Sequence, residues 1–245
     1  MVVWGRRRRA LLRTTSGAAP GSVALSRATP ELVGRRPPPL TRGEFRRATG
    51  VSRETLERLD AHVALVKSWQ RKINLVSAAS MTDVWRRHVL DSAQLFPFVP
   101  ESCRRLVDLG SGAGFPGLVL AIMGVRGVEL VESNGRKCVF LAEAARRAAA
   151  AVTIRHARVE TLSAAPADVV TARACAPLPR LLDYAERFLA PTTVCLFLKG
   201  ARVDEELTEA AKNWMMRVQR CASQTDPRGN ILRIHEVARE RPRPR

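Results

Sequence analysis

The chain has 245 residues, which is enough for one α/β core with a small helical annex. Its composition, 46% hydrophobic and 26% charged, is that of an ordinary globular protein and excludes a chain that is disordered throughout. No apolar stretch reaches the roughly 18 to 20 residues that a membrane-spanning helix needs, which excludes an integral membrane protein. Lys and Arg number 41 against 23 Asp and Glu, so the net charge is +18.

This positive charge attracts polyanions, and nucleic acid is favoured over an anionic membrane surface as the partner. A general preference for arginine, 36 residues against five lysines, would produce the same excess without any polyanion. The five cysteines form no CxxC pair, and the four histidines form no HxxxH or HxH pair. We therefore expect buried cysteines in a reducing compartment, a cytoplasmic location and no metal site.

Residues 1–42 predict a disordered basic tail. They carry nine arginines and a single acidic residue, Glu31, and show neither helical nor strand periodicity. The proline run at 37–39 cannot lie inside a helix. Three explanations of this tail stay open: an organelle transit peptide, an RNA-contacting arm, or a start codon assigned too far upstream.

The next segment, 43–100, predicts an N-terminal annex of two helices. Ser52 can cap the first helix, after which apolar residues recur every three or four positions. These residues are Leu56, Leu59, Val63, Val66 and Trp69. The second helix spans about 81–98 and ends at the prolines 97 and 100.

From 101 to 237 short apolar runs alternate with helical segments, which predicts a doubly wound parallel sheet with helices on both faces. The predicted strands are 105–109, 128–131, 152–154, 168–172, 194–198, 218–222 and 231–237. The predicted helices are 116–123, 137–150, 178–189 and 204–213. Ligands of such sheets bind at the carboxyl ends of the strands. Residues 238–245 predict a second basic tail.

The first predicted strand runs directly into the sequence DLGSGAGFPG at 108–117. Gly110, Gly112 and Gly114 remove Cβ atoms at every second position, where a ligand can then approach the backbone. The proline at 116 suits the first turn of a helix, because its missing N–H is not needed there. This turn therefore predicts a ligand site between a strand and a helix.

Two features of the turn disfavour a dinucleotide. Counted from Gly110, the third glycine of a dinucleotide turn falls on Phe115, and Asp108 would repel a pyrophosphate. The same carboxylate would attract a sulfonium or an amino group. Glu132 ends the second predicted strand, 22 residues after Gly110, where a carboxylate can accept hydrogen bonds from both hydroxyls of a ribose.

The D-x-G-x-G-x-G turn and the acidic end of the second strand resemble a class I S-adenosylmethionine-dependent methyltransferase, a Rossmann-like doubly wound fold. Further motifs are WQRKINLVS at 69–77, RHVLDS at 87–92, GAGFPG at 112–117 and LKG at 198–200. In this order they resemble the bacterial small-subunit (16S) rRNA 7-methylguanosine methyltransferase family, first named glucose-inhibited division protein B. The resemblance runs from about residue 51 to residue 237.

The resemblance implies S-adenosyl-L-methionine as the cofactor. It implies small-subunit rRNA, free or in the assembled subunit, as the partner of a monomer that uses neither metal nor membrane. The expected cofactor-binding residues are Asp108, Gly110, Gly112, Gly114, Phe115, Glu132, Val159, Glu160 and Arg173. The expected catalytic residues are Arg173, which would face methyl donor and substrate, and His88, for which a place in the core is an equally good interpretation. The expected RNA contacts are Arg87, Arg136, Lys137 and Lys199.

The implied reaction is methyl transfer to N7 of a guanine. Because N7 carries a lone pair at neutral pH, the transfer needs in-line placement and no general base. Three alternatives remain: the same fold acting on a protein or small molecule, a non-catalytic RNA-binding or ribosome-assembly factor, and a nicotinamide oxidoreductase. Phe115 and Asp108 disfavour the last of these.

Overall fold

The computed structural model describes residues 37–240, so most of the predicted N-terminal tail and the last five residues of the predicted C-terminal tail lie outside the described residues. The described chain is built on a seven-stranded sheet in the order β3-β2-β1-β4-β5-β7-β6. Its strands are β1 (Leu106–Leu109), β2 (Val128–Glu132), β3 (Val152–His156), β4 (Val169–Arg173), β5 (Val194–Lys199), β6 (Trp214–Ala222) and β7 (Asn230–Arg239).

The first five strands pair in parallel, as the alternation of strands and helices predicts. Strand β7 is antiparallel to both β5 and β6, which corrects the expectation of a wholly parallel sheet. Two parallel neighbours need a crossover of a dozen or more residues. Only residues 223–229 join β6 to β7, so the chain turns back as a hairpin and β7 pairs between β5 and β6.

Helices cover both faces of the sheet. They are α1 (Arg42–Thr49), α2 (Arg53–Trp69), α3 (Ala78–Met81), α4 (Asp91–Ala93), α5 (Gly117–Ile122), α6 (Gly135–Arg147), α7 (Leu178–Ala185) and α8 (Val203–Ala210). Alternate side chains of a strand point to opposite faces. In β5, Leu196 and Leu198 therefore pack with the annex, α5 and α6, whereas Cys195 and Phe197 pack with α7 and α8.

The annex begins earlier than predicted, because α1 starts at the last residue of the expected tail. Thr41 caps this helix through the backbone N–H of Glu44, whose side chain accepts in return from the Thr41 N–H. Phe45 is fully buried, with its ring centroid 5.2 Å from that of Trp85. The capping role of Ser52 in α2 is confirmed, since its hydroxyl accepts from a backbone N–H of the first turn.

The second predicted helix of the annex, 81–98, is divided into short pieces. A π-helical turn, Trp85–Leu90, lies between α3 and α4, and a short 3₁₀ turn, Phe96–Phe98, ends the segment. π-helical turns often occur at functional sites. His88 is buried within this turn, on the side that the regular helical spacing also predicts to face inward.

The predicted C-terminal tail, 238–245, begins two residues too early. Strand β7 continues to Arg239, whose guanidinium lies 4.2 Å above the Trp214 ring and pairs with Asp183 and Glu186. An arginine held in this way belongs to the folded domain. None of the helices within residues 37–240 has the length and apolar character to cross a membrane.

Candidate functional site

A cleft of about 890 Å³ opens at the carboxyl ends of β1, β4 and β5, which is the edge where the sheet topology predicts a ligand. The annex, the turn after β1, the segments after β4 and β5, and the β6–β7 hairpin contribute its walls. Its lining includes Ser77, Ser80, Arg87, His88, Asp91, Gly110, Gly112, Phe115, Lys137, Arg173, Cys175, Lys199, Glu206, Thr225 and Asp226.

The glycine turn meets the cleft at two of its three predicted positions. Gly110 and Gly112 line the cleft with φ angles of +66° and +54°, a region that favours glycine. A Cβ on Gly110 would stand 2.6 Å from the Cys175 Sγ, whereas one on Gly112 would meet only the Gly110 carbonyl oxygen, at 3.7 Å. Gly114 lies inside, where a Cβ would stand 2.8 Å from the Leu118 Cβ. Its role is therefore packing.

Asp108 is fully buried beneath the turn and does not line the cleft, so its predicted contact with the cofactor stays a prediction. Its Oδ1 accepts from the Thr171 hydroxyl at 2.7 Å, and its Oδ2 lies beside the backbone N–H of Gly117. Burial raises the pKa of Asp108 to about 6, although the Thr171 hydrogen bond opposes the rise. A Cβ on Gly117 would stand 2.7 Å from Oδ2, so the carboxylate points toward α5.

Glu132 supports the turn through its carboxylate. Its Oε2 accepts from the Gly112 N–H at 2.9 Å and its Oε1 accepts from the Asn134 N–H at 2.8 Å. Only 7% of the residue is exposed. Each carboxylate oxygen keeps a further lone pair, so these bonds leave capacity to accept from a ligand hydroxyl.

Arg173 ends β4 and lies across the cleft from the glycine turn. Its guanidinium stands 5.0 Å above the Phe115 ring and donates to the Arg87 carbonyl oxygen at 2.9 Å and to the His88 Nδ1 at 2.8 Å. It also pairs with Asp91 at 3.4 Å. Three of its five N–H groups are thus directed to neighbours, and the arginine is held in one orientation.

His88 stacks on Phe115 with a centroid distance of 4.9 Å. Burial, together with the nearby Arg173 charge, lowers the pKa of His88 to about 3, so the ring is neutral at physiological pH. Both ring nitrogens are hydrogen-bonded, Nδ1 to Arg173 and Nε2 to the Ser80 hydroxyl. The structure therefore gives His88 a role in holding Arg173, not in transferring a proton.

The sequence of this chain matches the family model described as "GidB: rRNA small subunit methyltransferase G" over residues 55–229. The chain belongs to the GidB family. Ribosomal RNA small subunit methyltransferase G of Rhodospirillum centenum is 55% identical over 195 residues, covering 80% of this chain and 90% of that protein. The protein of the same name from Rhodospirillum rubrum is 56% identical over 189 residues, covering 77% and 94%.

Two solved structures show the same fold. A mutant of MtNAS in complex with S-adenosylmethionine aligns with a TM-score of 0.51 at 13% identity, covering 80% of this chain and 84% of that chain. A protein from Klebsiella pneumoniae assigned as an O-methyltransferase has a TM-score of 0.51 at 13% identity, covering 79% and 95%. The predicted class I S-adenosylmethionine-dependent methyltransferase fold is confirmed. Family membership favours a small-subunit rRNA methyltransferase over the non-catalytic alternative.

Two residues of the GidB pattern lie away from the cleft. Val159 and Glu160 belong to a short 3₁₀ turn after β3, where Val159 is buried and Glu160 is exposed. Neither lines the cleft, so the prediction that they flank an adenine gains no support from its shape. Among residues 37–240, no three His, Cys, Asp or Glu side chains are grouped so that they could bind a metal ion.

The basic residues predicted to contact RNA differ in their surroundings. Arg87 and Lys137 line the cleft, and Arg136 does not. The Arg87 guanidinium pairs with Asp226 of the β6–β7 hairpin at 2.9 Å while 46% of its side chain stays exposed. Arg87 therefore tethers the hairpin to the annex and still presents charge to solvent.

Lys199 is largely enclosed, with 8% of its side chain exposed. Its ammonium pairs with Glu206 at 2.6 Å and donates to the Ala176 carbonyl oxygen at 3.0 Å. These contacts tie the segment after β4 to the end of β5. Lys199 therefore has a structural role, and its contact with RNA stays a prediction.

Sequence reasoning missed the partners of the GidB motif residues. His62 of α2 donates from Nε2 to the Ala113 carbonyl oxygen at 2.8 Å and is fully buried. Its helical spacing with apolar neighbours predicts a core residue and gives no sign of this contact. The Thr225 hydroxyl donates to Asp91 at 2.6 Å, a contact between residues 134 positions apart. The turn-rich sequence at 223–229 is the one signal that a loop lies there.

Proposed function

We propose that the cleft binds S-adenosylmethionine and that the protein methylates N7 of a guanine in small-subunit rRNA. The main support is that each carboxylate lining the described cleft is ion-paired. The pairs are Asp91 with Arg173, Glu206 with Lys199, and Asp226 with Arg87. His88 is neutral with both ring nitrogens engaged. Such a wall offers no free general base, and guanine N7 needs none, whereas a hydroxyl or ring-carbon acceptor would require one.

The turn after β1 fits the cofactor. Gly112 leaves an open backbone surface on the cleft beside Gly110, and Glu132 behind them has lone-pair capacity for the hydroxyls of a ribose. When bound, S-adenosylmethionine supplies an activated methyl group on a sulfonium. Gly110, Gly112, Phe115 and Glu132 are the residues that would hold it, while buried Asp108 is hydrogen-bonded to Thr171 of β4.

Arg173 has the chemistry to orient the guanine. Guanine presents two acceptors side by side, O6 and N7, and an arginine commonly recognises this edge. Two N–H groups of Arg173 remain after its bonds to Arg87, Asp91 and His88. Donation to O6 would place the base and leave the N7 lone pair free to attack. Held orientation of this kind can contribute about 7 to 11 kcal/mol in favourable cases.

The proposal also covers the cellular location, the oligomeric state and the form of the RNA substrate. We expect a cytoplasmic monomer that acts on rRNA either free or within the small subunit. Arg87 and Lys137 at the cleft are the cations that would meet phosphates of the strand presenting the guanine. The methyl group would be delivered to a base presented by a loop or extruded from its stack.

The test is methyl transfer from labelled S-adenosylmethionine to small subunits and to free small-subunit rRNA, both lacking the modification. Borohydride reduction and aniline cleavage cut RNA at 7-methylguanosine and map the product. We expect one cleavage site, and we expect Arg173→Lys to lower kcat/KM by roughly 100-fold, because lysine cannot reproduce the three-way anchoring of the guanidinium.

The matched control is Arg180→Ala, which removes an exposed arginine bonded to Tyr184 away from the cleft. It should keep near wild-type activity. Label in RNA without cleavage would refute N7 as the target while leaving the rRNA methyltransferase in place. Cofactor binding without label in either RNA would refute the rRNA substrate.

A further inference from the structure

The hydrogen bonds around His88 fix the position of its ring proton. A guanidinium has only N–H donors, so the His88 Nδ1 that faces Arg173 at 2.8 Å must carry a lone pair. In a neutral ring the proton then lies on Nε2, which donates to the Ser80 Oγ at 2.8 Å. Only one of the two neutral tautomers is compatible with this arrangement.

Ser80 is placed to accept that proton. Its own hydroxyl hydrogen is directed to the Ser77 carbonyl oxygen at 2.7 Å, and the Ser77 hydroxyl donates to the Ser80 Oγ at 3.0 Å. The Ser80 oxygen therefore donates once and accepts twice, which uses its full capacity. Ser80 is buried at the wall of the cleft, beside the His88 ring.

We propose that Ser80 is a positioning residue for methyl transfer: its hydroxyl holds the His88 proton on Nε2, which leaves Nδ1 to anchor Arg173. This inference rests on the proposed function, because it assigns Ser80 to the same site. The Arg173 N–H and the Ser80 hydroxyl favour the same tautomer from opposite sides of the ring. Without the Ser80 acceptor the buried Nε2–H loses its partner, so the Nδ1–H form, which opposes an Arg173 N–H, becomes more populated. Arg173 would then keep the Arg87 carbonyl and the longer 3.4 Å contact to Asp91.

The direct test is the tautomer of His88 in protein labelled with ¹⁵N-histidine, assigned with the help of His88→Gln. The wild-type ring should be neutral and protonated on Nε2 from about pH 5 to pH 8. Ser80→Ala should shift the ring toward the Nδ1–H form and lower kcat by roughly 10-fold, with little change in the KM for S-adenosylmethionine. Ser80→Thr, which keeps a hydroxyl, should restore both the tautomer and the rate.

Ser92→Ala is the matched control. Ser92 is a buried serine of the same region whose hydroxyl donates to the His88 backbone carbonyl, not to the ring, at 2.7 Å. It should leave the tautomer unchanged and kcat close to wild type. The inference is overturned if the wild-type ring carries its proton on Nδ1, or if Ser80→Ala matches Ser92→Ala in both tautomer and kcat.

The tautomer is measured without RNA or methyl transfer, so a failure of the Ser80 inference can be distinguished from a failure of the proposed function. A wild-type protein that binds cofactor but methylates no rRNA contradicts the proposed function, and the ring spectrum still decides whether Ser80 sets the His88 tautomer. If Ser80→Ala does not fold, Ser80→Cys, whose thiol is a much weaker acceptor, takes its place; a wild-type tautomer and kcat in that variant overturn the inference.

Discussion

Replacing Asp108 by asparagine should remove a pH dependence of stability that the fold imposes. Burial raises the pKa of Asp108 from its ordinary value of 3.8 to about 6. Each pKa unit corresponds to about 1.4 kcal/mol, so ionising this carboxylate inside the folded protein costs about 3 kcal/mol. The stability that the protonated Asp108 contributes is fully present below pH 3.8 and is lost as the pH rises through about 6.

The assay is urea unfolding of the wild type and Asp108→Asn at several pH values across this window. Other titrating groups are shared by the two proteins, so the difference between their free energies of unfolding isolates Asp108. That difference should move by about 3 kcal/mol in favour of Asp108→Asn between low pH and neutral pH.

A second variant tests the assigned cause. The Thr171 hydrogen bond lowers the Asp108 pKa against the effect of burial, so Thr171→Val should move the transition to higher pH. A free-energy difference between the wild type and Asp108→Asn that stays constant with pH would refute the reasoning, since it would mean that the carboxylate is hydrated or paired in solution.

Three further predictions concern the glycine turn and the end of the sheet. Gly112→Ala should unfold at a temperature only slightly below wild type, because the added methyl group meets no side chain and only the positive φ is unfavourable. The same variant should bind S-adenosylmethionine more weakly by calorimetry, because the methyl group enters the cleft. Gly110→Ala should lose more stability in the same thermal assay, since its Cβ would stand 2.6 Å from the Cys175 Sγ; equal losses for the two variants would contradict this. Arg239→Ala should lower the free energy of unfolding by about 1 to 2 kcal/mol through loss of its stacking on Trp214 and its carboxylate partners, while kcat per folded molecule stays unchanged.

The glycine turn and the strands around it could be predicted because their causes are local. A turn that needs a positive φ selects glycine, and a buried strand selects a run of apolar residues, so both can be recognised in the sequence. The same reasoning placed Glu132 near the turn, since β1 and β2 are neighbours in a doubly wound sheet. It did not give the direction of the Asp108 side chain, because a sequence shows that a carboxylate precedes the turn but not whether it points to the cleft or to α5.

The direction of β7 and the division of the annex helix could not be predicted from the sequence, for a related reason. Whether β7 pairs in parallel or antiparallel depends on the short 223–229 connection, and the apolar pattern of the strand is the same in both cases. The regular spacing of the annex likewise predicts a continuous helix where the structure has a π-helical turn at 85–90. His88 lies within that turn and lines the cleft.

The sequence by itself determined the fold class, the position of the cleft and the residues of the glycine turn. Only the tertiary structure decided how Arg173 is held, because its partners lie 82 to 86 positions away in the chain and no periodicity links them. The tautomer of His88 and the tether between Asp91 and Thr225 were decided in the same way. Local motifs indicate the conformation of the backbone, whereas contacts between distant segments arise from packing and leave no regular pattern in the sequence.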